Sequence, residues 1–280
     1  MLAAKLFKPP VAVVTGAAQG LGTAIALKLA SSGYAMVISD LPSKKAELAS
    51  VRQQCLGAYK VHPQGNQLTA MQVECDVTAE DQVDKLVNTA VKELGGINVM
   101  VANAGIARIS SLLDTTSELI ESTHAVNVKG AFYCYRSAAR AMIQSGGGRI
   151  IGACSVGGKT TLPYFGSYCM SKAAIRSLTH TAAREWAPYG ITVNAYAPGV
   201  VDTDMWVKDI VASGEVGPIL DQKVAVELAA TNKKSTPEQV AGLVSFLVSP
   251  AADNITGKSI IRFPFRHDVK LADSRTMHLD

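Results

Sequence analysis

Tyr168 and Lys172 stand four residues apart in a stretch compatible with helix, so one turn places both side chains on the same face. A free tyrosine ionises near a pH of about 10. An ammonium beside the phenol favours the phenolate and draws that pKa toward the range of a working general base. Ser155 lies thirteen residues before Tyr168, just after an apolar strand candidate at Arg149–Ala153, where a hydroxyl faces the ligand side. Asn127 falls inside a long helical stretch of roughly residues 120–144. Asn is a mediocre helix former, so a polar side chain there marks a candidate functional break in the backbone. Proton transfer to and from an oxygen is the chemistry such residues can do together.

A second group could hold a phosphate. The first apolar run, Val11–Val14, leads into Thr15-Gly16-Ala17-Ala18-Gln19-Gly20-Leu21-Gly22, a GxxxGxG spacing that opens a helix. Glycine lets the backbone turn tightly and approach a pyrophosphate, while the helix presents free N–H groups and the positive end of its dipole. Asp40 ends the second strand about twenty residues past the loop. Its carboxylate can accept from ribose 2′- and 3′-hydroxyls and would repel a 2′-phosphate, and no Arg or Lys sits at positions 39 to 42. NAD is therefore expected over NADP. The alternative for Asp40 is a solvated cap of the helix after Pro42. Asp76 can accept from an adenine amino group or can N-cap the next helix with Thr78 nearby.

The elements that must position these groups alternate. Apolar runs at 11–14, 35–39, 71–75, 98–102, 149–153, 191–196 and 259–263 read as strands. Amphipathic stretches at 20–32, 43–56, 79–94, 120–144, 164–187 and 237–248 read as helices. The strand runs are continuous rather than alternating, so both faces should be covered. The pattern predicts one doubly wound α/β domain over residues 1–280, its mostly parallel seven-stranded sheet carrying helices on both faces. Residues 60–70 read as a surface loop. Residues 200–236 break the rhythm beyond a strand end, as a substrate lid or as an ordinary surface excursion.

Composition narrows the classes. The chain has 280 residues, 48% hydrophobic and 18% charged, which excludes a mainly disordered protein. A net charge of +4 without a basic stripe does not suggest a nucleic-acid binder. Five cysteines without a CxxC pair or zinc spacing predict a reduced, metal-free protein. Cys154 and Cys169 flank Ser155 and Tyr168 as small buried hydrophobes or as reactive thiols, and His124 and His180 read as packed polar residues. No run of eighteen apolar residues predicts a membrane span. The opening MLAAKLFKPP is too short for a secretory signal, so a cytoplasmic location is expected.

Taken together, TGAAQGLG (15–22), CDVT (75–78), NAG (103–105), HAVNVKG (124–130), Ser155, YCMSK (168–172) and PGVVDT (198–203) resemble the single-domain short-chain dehydrogenases/reductases, in order and spacing across about residues 10 to 260. The resemblance implies a Rossmann fold and hydride transfer with NAD. It implies Tyr168 as acid/base and Lys172 as the residue that lowers the tyrosine pKa and holds the nicotinamide ribose. Ser155 would orient the substrate oxygen, and Asn127 would hold a water that links Lys172 to solvent. Gly16, Gln19, Gly20, Leu21, Gly22, Asp40, Asp76 and Val77 would hold the cofactor. Asn103, Ala104 and Gly105 would line the adenosine and ribose side, with Pro198, Gly199, Val201 and Thr203 beside the nicotinamide. A homotetramer is the family expectation.

Within the family the chain is most similar to acetoin reductases and 2,3-butanediol dehydrogenases, through segments 127–133, 153–158 and 178–206. Val156 and Leu162 stand where those enzymes carry polar residues. With Ile106, Met205 and Trp206 they predict an apolar secondary alcohol or ketone, alicyclic or terpenoid. A diol hydroxyl left unpaired there would cost about 1–3 kcal/mol. Acetoin, diacetyl or butanediol turnover is the alternative, and a non-catalytic dinucleotide-binding protein is the alternative of another class. The tail 262–280 lacks the family's Asp-Gly-Gly ending, and Pro264 would end the last strand or keep it at an edge.

Overall fold

The computed structural model of the protein describes residues 9–58, 69–205, 210 and 234–262. Trp206, the tail beyond Arg262 and most of the 200–236 segment lie outside the described residues.

Seven strands form one sheet: β1 (Val11–Thr15), β2 (Ala35–Asp40), β3 (Ala70–Glu74), β4 (Val99–Ala102), β5 (Gly148–Ala153), β6 (Ile191–Pro198) and β7 (Ser259–Arg262). Their order is β3-β2-β1-β4-β5-β6-β7. Every neighbouring pair is parallel, so the sheet is all parallel rather than mostly so. The long helices are α1 (Gly20–Ser31), α2 (Lys45–Ala58), α3 (Glu80–Leu94), α4 (Ser117–His124), α5 (Ala131–Ser145), α6 (Gly166–Trp186) and α7 (Pro237–Leu247).

Two buried clusters explain the continuous apolar strands. Ala12, Val14, Met36 and Ile38 face Ile25 and Leu29 of α1, Leu48 of α2 and Val240 and Val244 of α7. Val11, Val13, Val37 and Met100 face Leu86 of α3, Tyr135 and Met142 of α5 and Ile175 of α6. A large apolar side chain buried this completely contributes about 1.5–3 kcal/mol, so both helix layers are needed to hold the sheet.

Three boundaries depart from the sequence reading. The stretch expected as one helix over 120–144 is α4, a π-helical turn at Ala125–Gly130 and α5. The helix expected from Ser43 begins at Lys45, after a 3₁₀ turn at Pro42–Lys44. Asp76 does not cap α3, whose N-cap is Ala79. Its Oδ1 instead accepts from Thr78 N at 2.9 Å and Thr78 Oγ1 at 2.8 Å, closing a local turn.

Strand order reverses between β1 and β4, the switch point where such sheets open a crevice at their carboxyl ends. Asn103 bridges that seam. Its Nδ2 donates to Thr15 O at 2.8 Å and Gly16 O at 3.0 Å, and its Oδ1 accepts from Tyr196 Oη at 2.7 Å. Tyr196 is 1% exposed, so removing its hydroxyl would leave an amide oxygen without its partner. Tyr196→Phe is expected to lower stability by about 1–3 kcal/mol, read as a fall in the urea midpoint with an unchanged slope.

Candidate active site

The glycine loop is shaped by close backbone approach. Gly16 has φ of 63°, and a Cβ there would lie 2.8 Å from Ala104 Cα. A Cβ on Gly22 would lie 2.0 Å from Gly16 O, so α1 can begin this close to the loop only without a side chain. Gln19, the N-cap, makes no side-chain cap, and the first turn carries no acidic residue. The N–H groups that open α1 therefore keep their capacity for an external anion. Thr203 reaches over from beyond β6, its Cγ2 lying 3.7 Å from where a Gly20 Cβ would stand.

Asp40 sits beside this loop, and it does not cap the helix after Pro42 in place of binding there. Its Oδ2 accepts from Ala18 N at 2.9 Å and its Oδ1 from Leu41 N at 2.9 Å. One carboxylate thus holds the loop's backbone and offers its remaining lone pairs at the tip of β2.

Asn127 lies in the π turn, 1% exposed. A π turn shifts the ladder from i→i−4 to i→i−5 and widens the helix, the break that a buried Asn signalled. Its Oδ1 accepts from Ile106 N at 2.8 Å, and its Nδ2 donates to Ile106 O at 2.9 Å and Ser171 Oγ at 3.0 Å. Ser171 Oγ donates in turn to Tyr168 O at 2.7 Å. The amide thereby locks the loop after β4 to α6. Gly105 lies in the same place: a Cβ there would be 3.2 Å from Asn127 Oδ1 and 3.4 Å from Lys172 Nζ.

Lys172 is 5% exposed, and its Nζ donates to Ala153 O at 2.9 Å, tying α6 to the end of β5. Burial lowers its pKa from the ordinary 10.5 to about 8. Its Nζ stands 5.4 Å from the centre of the Tyr168 ring. Burial pushes the Tyr168 phenol up to about 12, and the Ser155 hydroxyl, hydrogen-bonded to it, pulls the other way. Desolvation is the larger of these two influences, and Lys172 faces the Tyr168 ring. Ser155 Oγ also accepts from Gly157 N at 3.1 Å, which fixes its rotamer.

The predicted site residues among those described have different commitments. Asn103 spends its amide on the β1–β4 seam. Val77 is buried, where a Cβ on Gly130 would lie 2.7 Å from its Cγ2, so it packs against the π turn. Pro198 ends β6, and Val201 bridges to Ser235. Of the expected pocket residues, Leu162 and Met205 pack on a third apolar cluster of Ala107, Phe165, Cys169, Val200 and Ile210, with Ile109, Tyr164 and Tyr168. Val156 is buried in the turn after Ser155 and, like Ile106, stands outside that cluster. Ile106 contributes its backbone to Asn127. Sequence reasoning missed Thr15, Ser171, Tyr196, Phe165 and Tyr164. Ser171 and Thr15 carried a signal, as members of the segments 168–172 and 15–22.

The sequence signature of the short chain dehydrogenases matches residues 10–211. A short-chain dehydrogenase/reductase of Armillaria gallica is 44% identical over 252 residues, 89% of this chain and 93% of its own. The L-2,3-butanediol dehydrogenase of Corynebacterium glutamicum is 38% identical over 90% of this chain and 95% of its own. The crystal structure of an acetoin dehydrogenase from Salmonella typhimurium superposes with a TM-score of 0.76 at 30% identity, over 90% of this chain and 94% of that one.

The buried lysine gives a test of this geometry. Between about pH 8 and 10.5 the unfolded chain keeps the Lys172 proton that the folded chain has released, so this group's contribution to stability rises with pH across that window. The unfolding free energy of wild type minus that of Lys172→Met should climb from pH 7.5 to 10.5. A flat difference in denaturant titrations would show that Lys172 titrates normally.

Proposed function

The chain belongs to the short-chain dehydrogenase/reductase family, and from that premise we propose that it is an NAD-dependent enzyme oxidising an apolar secondary alcohol to its ketone and reducing the ketone back. Family membership makes it an oxidoreductase of the alcohol/ketone type. The cofactor preference, the substrate and the residue roles are this proposal's own.

The residues present suit a nicotinamide dinucleotide. The uncapped start of α1 suits its pyrophosphate, and the carboxylate of Asp40 at the tip of β2 suits a ribose with a free 2′-hydroxyl. When bound, the dinucleotide supplies the hydride acceptor and donor. Tyr168 gives a proton to the carbonyl oxygen during reduction and takes it back during oxidation. A phenol held near 12 stays protonated at neutral pH, so it carries the proton that reduction needs but is a weak acid, and the phenolate that oxidation needs is scarce. A bound oxidised nicotinamide would carry a positive charge, which would favour the phenolate. Ser155 donates to the same oxygen. Lys172, anchored on Ala153 O, holds the nicotinamide ribose and the proton path, with Asn127 keeping that corner rigid.

The observation that carries the substrate class is the apolar cluster around Tyr168. Among the described residues Ala107, Ile109, Leu162, Phe165, Val200 and Met205 make it mostly apolar, with the Tyr164 phenol packed on it, and such a surface favours an apolar body over a second hydroxyl. A second reading, acetoin or butanediol turnover, is favoured by the Corynebacterium and Salmonella relatives. A homotetramer in the cytoplasm completes the proposal on family grounds, and among the described residues no helix is long and apolar enough to cross a membrane.

Absorbance at 340 nm with NAD and NADP, across cyclic and terpenoid alcohols, acetoin and butanediol, separates the readings. The expected result is NAD-linked oxidation of the apolar alcohols, abolished to about a hundredfold or lower in Tyr168→Phe with NAD binding retained. Preference for acetoin would select the second reading, and NAD binding without turnover would select a non-catalytic protein. Asp40→Ala should raise the NADP-linked rate relative to the NAD-linked one and lower stability through the freed Ala18 amide. A native preference for NADP would overturn the role of Asp40.

A further inference from the structure

Among the described residues Tyr164 is the one non-glycine with positive φ, at 68°. It lies in a turn closed by the Phe165 amide, which donates to Leu162 O at 3.2 Å. Pro163 takes the second position of that turn, where its fixed φ is favourable, and Tyr164 takes the third. A turn with positive φ at the third position calls for Gly or Asn. A bulky aromatic residue there brings its Cβ against the backbone, a strain a glycine would not have.

Backbone strain of this kind persists where the surroundings over-determine it, and it concentrates at functional sites. Here the turn is held on both sides. Tyr164 O accepts from Ser110 N at 2.9 Å, and Ser110 bridges to Phe165, so the segment after β4 and the segment before α6 are zipped together. Phe165 O accepts from Cys169 N at 2.8 Å as α6 begins. The buried Phe165 ring meets Tyr168 edge-on, with centroids 6.0 Å apart at 68°. The strained residue is thus coupled rigidly to the phenol four positions later. Its own side chain packs on the apolar cluster that includes Tyr168, yet it stays partly exposed.

We propose that Tyr164 determines substrate specificity: the strained turn holds its ring as the outer wall of the ketone pocket, where it selects a broad apolar body, such as a cyclic ketone, over a small polar one. This deepens the proposed function and rests on it for the position of the pocket. A partly covered ring at the rim of an apolar cluster has one face for the protein and one for a ligand, and an aromatic face suits the C–H edges of an alicyclic ring. The strain is retained because glycine, which would relieve it, would remove the wall.

Three variants test this. The readout is the ratio of kcat/KM for cyclohexanone to that for acetoin, together with the melting temperature. Tyr164→Phe keeps the ring and should hold the ratio within about twofold. Tyr164→Ala and Tyr164→Gly should both lower it by about tenfold or more, the discrimination expected from removing one apolar wall. Tyr164→Gly should melt several degrees above Tyr164→Ala, since both lose the ring but only Gly relieves the backbone. Calorimetric titration of cyclohexanone into the NAD-loaded protein, a pair that cannot react, should show the same about tenfold loss of affinity without any turnover. An unchanged ratio and affinity in the Gly and Ala variants, or a Gly variant melting no higher than the Ala variant, overturns the proposal. A wild-type ratio below one overturns the substrate reading instead, while the change in ratio on substitution still reports on Tyr164.

Discussion

A parallel sheet whose strand order reverses has a seam where two neighbouring strands send their chains to opposite faces. Between β1 and β4 the register ends at Val14 and Val101. The Asn103 amide replaces the ladder, donating to two carbonyls of the glycine loop and accepting from Tyr196 on β6. Thr15 Oγ1 adds a second tie, accepting from the amides of Asn103 and Ala104 at 3.2 Å each. The crevice therefore opens with fixed edges, and the glycine loop lies against the Ala104 backbone at a distance only Gly16 allows.

Beyond that seam the side chains proposed as catalytic are held by burial and by backbone contacts. Lys172 is held by a carbonyl at the end of β5, Asn127 by both polar atoms of the Ile106 backbone, and Ser155 by the amide of Gly157. Side chains fixed to backbone lose little further freedom when a ligand arrives, which is the advantage of a preorganised site. Burial raises the phenol and lowers the ammonium, and the acid form of Tyr168 dominates at neutral pH. The two directions share one cause, exclusion of water from the crevice.

A third apolar cluster stands apart from the two that flank the sheet. It is made of segments that leave the carboxyl ends of β4, β5 and β6, and it includes Tyr168 itself. Loops that cap a crevice usually carry polar residues toward solvent. Here they turn Phe165, Val200 and Leu162 inward, and the one strained non-glycine residue among those described, Tyr164, lies among them. The apolar character of this end of the molecule and the polar precision of the Asn127–Ser171–Tyr168 line meet at a single phenol.

The sequence by itself determined the alternation of elements, since a strand covered on both faces must read as an unbroken apolar run, and Val11–Thr15 does so. It also placed Tyr168 over Lys172, because an i, i+4 pair on a helix shares a face whatever the tertiary context. The glycine spacing and Asp40 were legible because they stand where a strand meets a helix or ends, although their partners, Ala104 and Ala18, are tertiary contacts. Asn127 was legible as a break but not as a π turn, and the 3₁₀ entry to α2 was not foreseen, because helix type is settled by what packs against it. Only the tertiary structure decided that Asn103 is a seam staple, that Val77 packs on Gly130, that Ile106 contributes its backbone, and that Val156 lies outside the apolar cluster. The contacts among these join residues 21 or more positions apart, brought near by the fold. The direction of the Tyr168 shift belongs to the same class, because desolvation is a property of the closed fold and not of any pair of residues along the chain.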